Sequence, residues 1–316
     1  MFEIIEEPFG KFKQYVLKNT STGEFVAVIP EFGATINQLV LQKNNSLHEL
    51  IDGCSTYEEL ITEGKDKFKG SVLFPFPNRI KDGTYTFNEK NYQLPINFPN
   101  ENNAIHGFVY DVIFNVLKEE TSTNSAFLSV EYSTFGNEKG HPFKATIKID
   151  FILNKEGFSC TTHIQNNDKQ PIPFGTGWHP YFKTGSKIDE CYLSLPVSHS
   201  FEVDERMIPT GKIILEKKFN VLTKIENTNF DTGYKIAKPT IVTTIIEDKI
   251  KKIKLIILQN ANGNQYNYLQ VYIPAHRNSI AIEPMTCLTN AFNNKEGLIV
   301  LEPGEIKVIS FGVKLE

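Results

Sequence analysis

Alternation of apolar and polar residues with a period of two is the feature that most constrains this chain. In the stretch Lys144–Leu153, Ala145, Ile147, Ile149, Phe151 and Leu153 alternate with Thr146, Lys148, Asp150 and Ile152. After Gly157 the pattern resumes with Phe158, Cys160, Thr162 and Ile164. Such a period sends successive side chains to opposite faces of a β-strand, one buried and one wet. Further strands are expected at Lys252–Leu258, Leu269–Ile273, Ser279–Ile282 and Ile306–Val313. Tyr85 and Phe87, then Tyr92 and Leu94, flank Asn88-Glu89-Lys90-Asn91 and predict a hairpin. Helical spacing is rare: Tyr57–Ile61 predicts one short helix, and Ile213–Ile225 fits neither period. A doubly wound α/β fold needs a helix after nearly every strand, and those helices are missing. The expectation is therefore an all-β chain, 1–316 as one domain, built as a large antiparallel β-sandwich. At 316 residues the chain is long enough to bury a core without disulfide or metal staples.

Charge and motif content narrow the function. The formal net charge is 33 − 37 = −4, and 30 of the 33 cations are lysine, leaving Arg79, Arg206 and Arg277. No basic block or basic–aromatic stripe is present, so no nucleic-acid partner is expected. No uncharged apolar run reaches the roughly 18 residues of a membrane span, and no membrane partner is expected. The amino terminus is acidic and lacks the basic and apolar regions of a signal peptide. Cys54, Cys160, Cys191 and Cys287 are widely spaced with no C-x-x-C, which fits a reducing compartment and a cytoplasmic location. G-x-S-x-G, H-E-x-x-H, a Walker A loop and G-x-G-x-x-G are all missing. The seven histidines include no i, i+4 pair. The expected chemistry is that of acids, bases and hydrogen bonds, with no cofactor and no metal.

Four segments concentrate that chemistry. Phe74-Pro75-Phe76-Pro77-Asn78-Arg79-Ile80 holds two prolines, which marks an irregular or edge segment. Arg79, the first arginine of the chain, fits either a ligand contact or a surface ion pair. Asn103-Ala104-Ile105-His106-Gly107 places a histidine before a glycine that permits a sharp turn. His106 suits a site or a satisfied structural role. In Gly175-Thr176-Gly177-Trp178-His179-Pro180-Tyr181, an extended backbone sets His179 on one face with Gly175, Gly177 and Tyr181. The glycines would leave open space beside it. In Ser279-Ile280-Ala281-Ile282-Glu283-Pro284, Ile280 and Ile282 face a core while Ser279, Ala281 and Glu283 face away. Pro284 holds Glu283 extended. Glu283 then suits a concave surface, or is an ordinary glutamate at a strand end.

Together these segments resemble the aldose 1-epimerase (galactose mutarotase) family. The resemblance rests on PFPNRI-x-DG at 75–83, NAIHG at 103–107, GWHPYF at 177–182, IPTG at 208–211, and AIEPMT with NAFN at 281–293. It implies a galactose mutarotase-like supersandwich with an open sugar-binding cleft and no cofactor. The implied activity is interconversion of the α and β anomers of free hexoses such as galactose and glucose. The family's catalytic base maps onto Glu283 and its acid onto His179. His106 and Arg79, with Asn78 beside it, would bind and polarise the sugar. Asp231 is the nearest match to an aspartate that grips sugar hydroxyls. The chain departs from the family in carrying Phe108 where a second glycine is common.

The residue types suit this reaction. Opening a pyranose takes a proton from the C1 hydroxyl and gives one to the ring oxygen, a task for a carboxylate and an imidazolium on opposite sides of the sugar. Work near neutral pH would then call either for a raised His179 pKa, which the Glu283 carboxylate could supply, or for chemistry fast enough that a small protonated fraction suffices. Two other readings share the scaffold: a hexose-6-phosphate 1-epimerase and a non-catalytic sugar-binding module. Phe108-Val109-Tyr110-Asp111 stands where the phosphate branch places an arginine, and Asp111 would repel a dianion. The expected partner is a small-molecule hexose, with the chain a monomer or a homodimer.

Overall fold

The computed structural model describes residues 1–238 and 240–316. The alternation becomes strands where expected. Ala145–Asn154 and Gly157–Asn166 pair antiparallel, and each buries every second residue along its length. They lie within a nine-stranded antiparallel sheet that also contains Ile306–Leu315, Ile253–Asn260 and Ile241–Asp248. An eight-stranded sheet runs in the order Pro209–Leu215, Ser198–Val203, Asp231–Ile236, Tyr268–Tyr272, Ile280–Met285, Gly177–His179 and Ser71–Leu73. Its eighth strand, Tyr181–Phe182, pairs with Ile280–Met285. A five-stranded meander from Phe2–Phe9 to Ser46–Glu49 forms a further sheet.

One cluster of buried apolar side chains runs through all three sheets, with Leu17 and Val28 from the first, Ile149 and Phe151 from the nine-stranded sheet, and Val271 and Ile282 from the eight-stranded one. Trp178 lies inside it, its ring stacked on Phe311 at 4.3 Å and its indole N–H donating to the Gly70 carbonyl at 3.1 Å. A buried indole N–H needs such a partner. This is the all-β sandwich that the period-two pattern predicts.

Local expectations fare differently. The hairpin forms between Thr84–Phe87 and Lys90–Gln93, with a turn tighter than expected, because Asn88 and Glu89 both take left-handed φ. Paired left-handed residues are what a two-residue hairpin turn requires. The short helix begins at Tyr57, capped by the Thr56 hydroxyl on Glu59 N–H, and continues as a wider turn over Leu60–Gly64. The ambiguous Ile213–Ile225 divides into the end of strand Pro209–Leu215, a single turn at Lys218–Asn220 and the two-residue strand Thr223–Lys224. All four cysteines are free and buried. Among the described residues no helix is long and apolar enough to cross a membrane.

Candidate active site

Strand register assembles the site. Gly177 pairs with Met285 and Tyr181 with Ala281, which sets His179 directly across from Glu283. On the far side of that strand Glu283 pairs with Gln270, and Gln270 in turn with Gly233. Residues two apart share a face, so Tyr181, His179, Glu283, Gln270, Tyr272 and Asp231 all project from one side of the sheet. Trp178, Ile282 and Val271 project from the other side into the core. His179 and Glu283 are only 6% and 2% exposed, and His179 Nε2 lies 3.4 Å from Glu283 Oε1. They therefore stand side by side on the cleft floor, not on opposite sides of a sugar.

A second wall comes from the proline-rich segment and the histidine–glycine turn. Arg79–Lys81 pairs antiparallel with Asn103–Ile105, which brings His106 against Asn78. His106 takes a left-handed φ of 60°, a costly conformation for a non-glycine residue and one that clusters at functional sites. Gly107 follows with φ 69°, and a Cβ there would lie 2.0 Å from the Phe74 carbonyl oxygen. Only glycine fits.

The Asn78 backbone N–H donates to His106 Nδ1 at 3.1 Å. The Nδ1 lone pair is thereby used and the ring proton sits on Nε2, so His106 presents an N–H donor. This tautomer also bears on metal binding. His106, His179 and Glu283 bring one donor atom each within 4.8 Å of one another. A metal would need a lone pair from each imidazole, and His106 has already given its free one to Asn78.

Arg79 is both an ion pair and part of the cleft wall. It clamps Glu101 through Nε at 2.5 Å and a terminal nitrogen at 3.3 Å, and donates to Asn78 Oδ1 at 3.1 Å. Asn78 and Asp231 are linked through Gln270, which accepts from Asn78 Nδ2 at 3.3 Å and donates to Asp231 Oδ1 at 2.7 Å. All six sequence-predicted residues line one cleft of about 300 Å³, with Phe68, Glu101, Tyr181, Gln270 and Tyr272.

Several expectations are corrected here. The glycines beside His179 do not open space: a Cβ on Gly175 would meet Cys287 Sγ at 2.3 Å, and one on Gly177 would meet Pro284 O at 3.0 Å. They allow neighbouring segments to pack closely. Asp111 does not enter the cleft, being held by Lys65 at 2.6 Å. Trp178 is sealed in the core, whereas Tyr181, Tyr272 and Phe68 line the cleft.

Burial sets the electrostatics. It pushes the Glu283 carboxyl well above the usual carboxylate range, with the Asp231 charge adding to the rise and Arg79 opposing it. Burial lowers His179 to about 4, the reverse of the expected rise. His106 is held well below 6.5 by burial first, then by the charges of His179 and Arg79. Asp231 is raised by desolvation, against Arg79 and its Gln270 hydrogen bond. It is enclosed by protein on most sides yet open to the cleft mouth.

Sequence reasoning missed Gln270, Glu101 and Phe68. Gln270 was within reach, since Leu269 and Val271 flank it as Ile282 flanks Glu283. Glu101 ends the single 3₁₀ turn Pro99–Glu101, which is too short to leave a periodic signal. Phe68 reaches the site by a left-handed φ of 54°, and its ring lies tilted 4.6 Å from His106 and 6.3 Å from His179.

Comparison with known proteins agrees with this architecture. A family model described as aldose 1-epimerase matches residues 13–312. YihR of Escherichia coli K12, an uncharacterized protein, is 30% identical over 302 residues, 93% of this chain and 91% of YihR. Galactose mutarotase of Mus musculus is 25% identical over 226 residues, 70% of this chain and 60% of the mouse protein. The crystal structure of a galactose mutarotase-like protein from Clostridium acetobutylicum matches with a TM-score of 0.88 at 22% identity, over 100% of this chain and 98% of that one. Galactose 1-epimerase from Lactobacillus acidophilus NCFM gives 0.81 at 16% identity, over 100% and 98%. The fold is the galactose mutarotase-like β-sandwich. The chain belongs to the aldose 1-epimerase family.

Proposed function

We propose that this protein is a cytoplasmic aldose 1-epimerase that interconverts the α and β anomers of free, uncharged hexoses such as galactose and glucose. The observation that carries the reading is the buried Glu283–His179 pair, 3.4 Å apart on the floor of a sugar-sized cleft. Buried polar atoms rarely lack a partner, yet Glu283 Oε2 and His179 Nδ1 both do. These are atoms of the two groups that the chemistry uses.

In the competent state the pair holds one proton, as carboxylate and imidazolium. Glu283 takes the C1 hydroxyl proton while His179 gives its proton to the ring oxygen. The C1–O5 bond breaks, C1 becomes an aldehyde, and the pair is left neutral. Rotation about C1–C2 presents the other carbonyl face. On reclosure the protonated Glu283 returns its proton to the C1 oxygen and His179 recovers one from the C5 hydroxyl. Protons balance over the cycle without loss to solvent. Burial disfavours the ion pair more than the neutral pair, which raises the starting state relative to the open-chain intermediate. His106, fixed as an N–H donor, and Arg79 are placed to polarise the sugar oxygens. Asp231 and Asn78 are placed to accept from and donate to its hydroxyls.

Charge supports the uncharged substrate. Asp66, Glu101, Asp231 and Glu283 line the cleft, and its two cations are engaged: Arg79 by Glu101 and Lys67 by Glu63 at 2.7 Å. A sugar phosphate would meet four carboxyl groups against two cations, one of them, Arg79, already charge-paired with Glu101. The four free buried cysteines support a reducing cytoplasm. Polarimetry on freshly dissolved α-glucose and α-galactose tests the reading, with glucose 6-phosphate as the comparison. The expected result is a faster approach to the equilibrium rotation for the free sugars and a much lower kcat/KM for the phosphate. Binding of sugar without acceleration would instead make the chain a non-catalytic sugar binder.

A further inference from the structure

The strand Pro209–Leu215 differs from the other sheet edges. It is the outermost strand of the eight-stranded sheet, paired on one side with Ser198–Val203, and among the described residues nothing pairs with its other side. Its last three residues, Ile213, Ile214 and Leu215, are consecutive, apolar and 59%, 46% and 61% exposed. A free edge of this kind is a template for strand addition, and proteins ordinarily blunt such edges with charges, bulges or proline. The edge strand Asn115–Thr121 of the nine-stranded sheet follows that rule, with Lys118, Glu119 and Glu120 and a register shift after Val116. In Pro209–Leu215 the proline comes first, and the register irregularity, between Phe201 and Val203, also lies at that end. The stretch that follows keeps a single charge, Lys212, and ends in three uncharged residues, Ile213, Ile214 and Leu215.

The sequence of this edge is also complementary to itself. About a two-fold axis through Ile214, antiparallel pairing sets Lys212 opposite Glu216 of a second copy, Ile213 opposite Leu215, and Ile214 opposite Ile214. The charge pair occurs twice, and cross-strand opposite charges and apolar pairs both favour a register. Lys212 otherwise pairs with Glu202 at 2.7 Å in solvent, an exposed contact that contributes little and is readily exchanged. Glu216 Oε1 accepts the Phe219 N–H at 3.1 Å and Oε2 accepts the Tyr234 O–H at a long 3.5 Å, and each carboxylate oxygen keeps a second lone pair for a lysine.

We propose that Pro209–Leu215 pairs antiparallel with the same strand of a second copy, giving a two-fold dimer with one sheet continuous through both molecules. Sedimentation of the full chain at rising concentration should show the mass going from the 35.9 kDa of one chain to twice that value. Ile214→Lys sets like charges face to face on the axis and should return the monomer, with the fold intact by circular dichroism. Ile214→Cys should give a disulfide-linked dimer under mild oxidation, because the two introduced thiols meet across the axis and the native cysteines are buried. Ile213→Cys, which faces Leu215, should cross-link far less. A wild-type chain that stays monomeric at every concentration overturns the proposal. So does a dimer that survives Ile214→Lys, or one that cross-links as well through position 213 as through 214.

Discussion

At the scale of single residues, the acid–base pair shows how burial replaces the electrostatics that the residue types suggest. Unperturbed, glutamate titrates near 4.3 and histidine near 6.5, so Glu283 ionised with His179 protonated would coexist only in between. Burial reverses the order: His179 falls to about 4 and Glu283 rises well above its usual range. The pair then keeps one proton between about 4 and the raised Glu283 value, and those two values belong to the pair as a unit. The pH–rate profile is accordingly expected to have an acid limb near 4, with its alkaline limb set by the raised Glu283 carboxyl instead of by an unperturbed histidine. Glu283→Gln should retain the fold and lose roughly 10²–10⁴-fold in kcat, the usual worth of a general base. Near wild-type polarimetric rates would remove Glu283 from that role. Phe68 extends the argument, because its ring lies beside both His106 and His179 in the cleft lining. Phe68→Ala admits water to the imidazoles, relieves desolvation and should raise the His179 pKa from about 4 toward 6.5. NMR titration of the ring reads this directly, and an unchanged value would show that the Phe68 ring does not shield it.

Elements decide what those residues can reach. Glu283 was legible because its strand alternates and a proline follows it, and Gln270 obeys the same alternation one strand away. The partnership of His179 with Glu283 was not legible, since it depends on the register between strands a hundred residues apart in the chain. The glycines show the limit of local reading: at 175 and 177 they suggested an opening, yet they lie where Cys287, Pro284 and Pro77 press closest. Gly107 is the sharper case, with its left-handed φ and its contact on Phe74. Gly107→Ala should destabilise the protein by about 1–3 kcal/mol from backbone strain alone, and more from the clash. It should also displace His106 and reduce mutarotation. An unchanged urea midpoint would refute the close approach.

Across the whole molecule, buried titratable groups tie stability to pH. His106, His141 and His179 are held below 6.5 in the folded chain, with His141 and His179 at about 4. Unfolded, each binds a proton as the pH falls through about 6.5. The unfolded state then carries the extra protons, so stability drops on acidification. Glu283 works in the opposite sense, because the folded state keeps its proton where the unfolded state has lost it, and its contribution is lost as the pH rises. Three histidines outweigh one glutamate, even with the smaller rise at Asp231 on the glutamate's side. The urea midpoint should therefore fall between about pH 7 and pH 5, each uncompensated histidine contributing at most about 1.4 kcal/mol per pH unit. A midpoint that rises over that interval would refute the balance.

What the sequence determined by itself is what short-range periodicity encodes. The strands, the side of each strand that faces the core, the absence of a helical layer and the order of the motifs all follow from steric rules acting over two to four residues. The resemblance carried by those motifs named the right family and the six residues that meet in one cleft. Tertiary structure alone decided the rest. It placed His179 beside Glu283 and clamped Arg79 with Glu101. It set the His106 proton on Nε2 through an Asn78 N–H, and it brought Phe68 beside both imidazoles. It also set the direction of every pKa shift at the site, because desolvation depends on what surrounds a group in space, and the neighbours that exclude water here come from segments far apart in the chain.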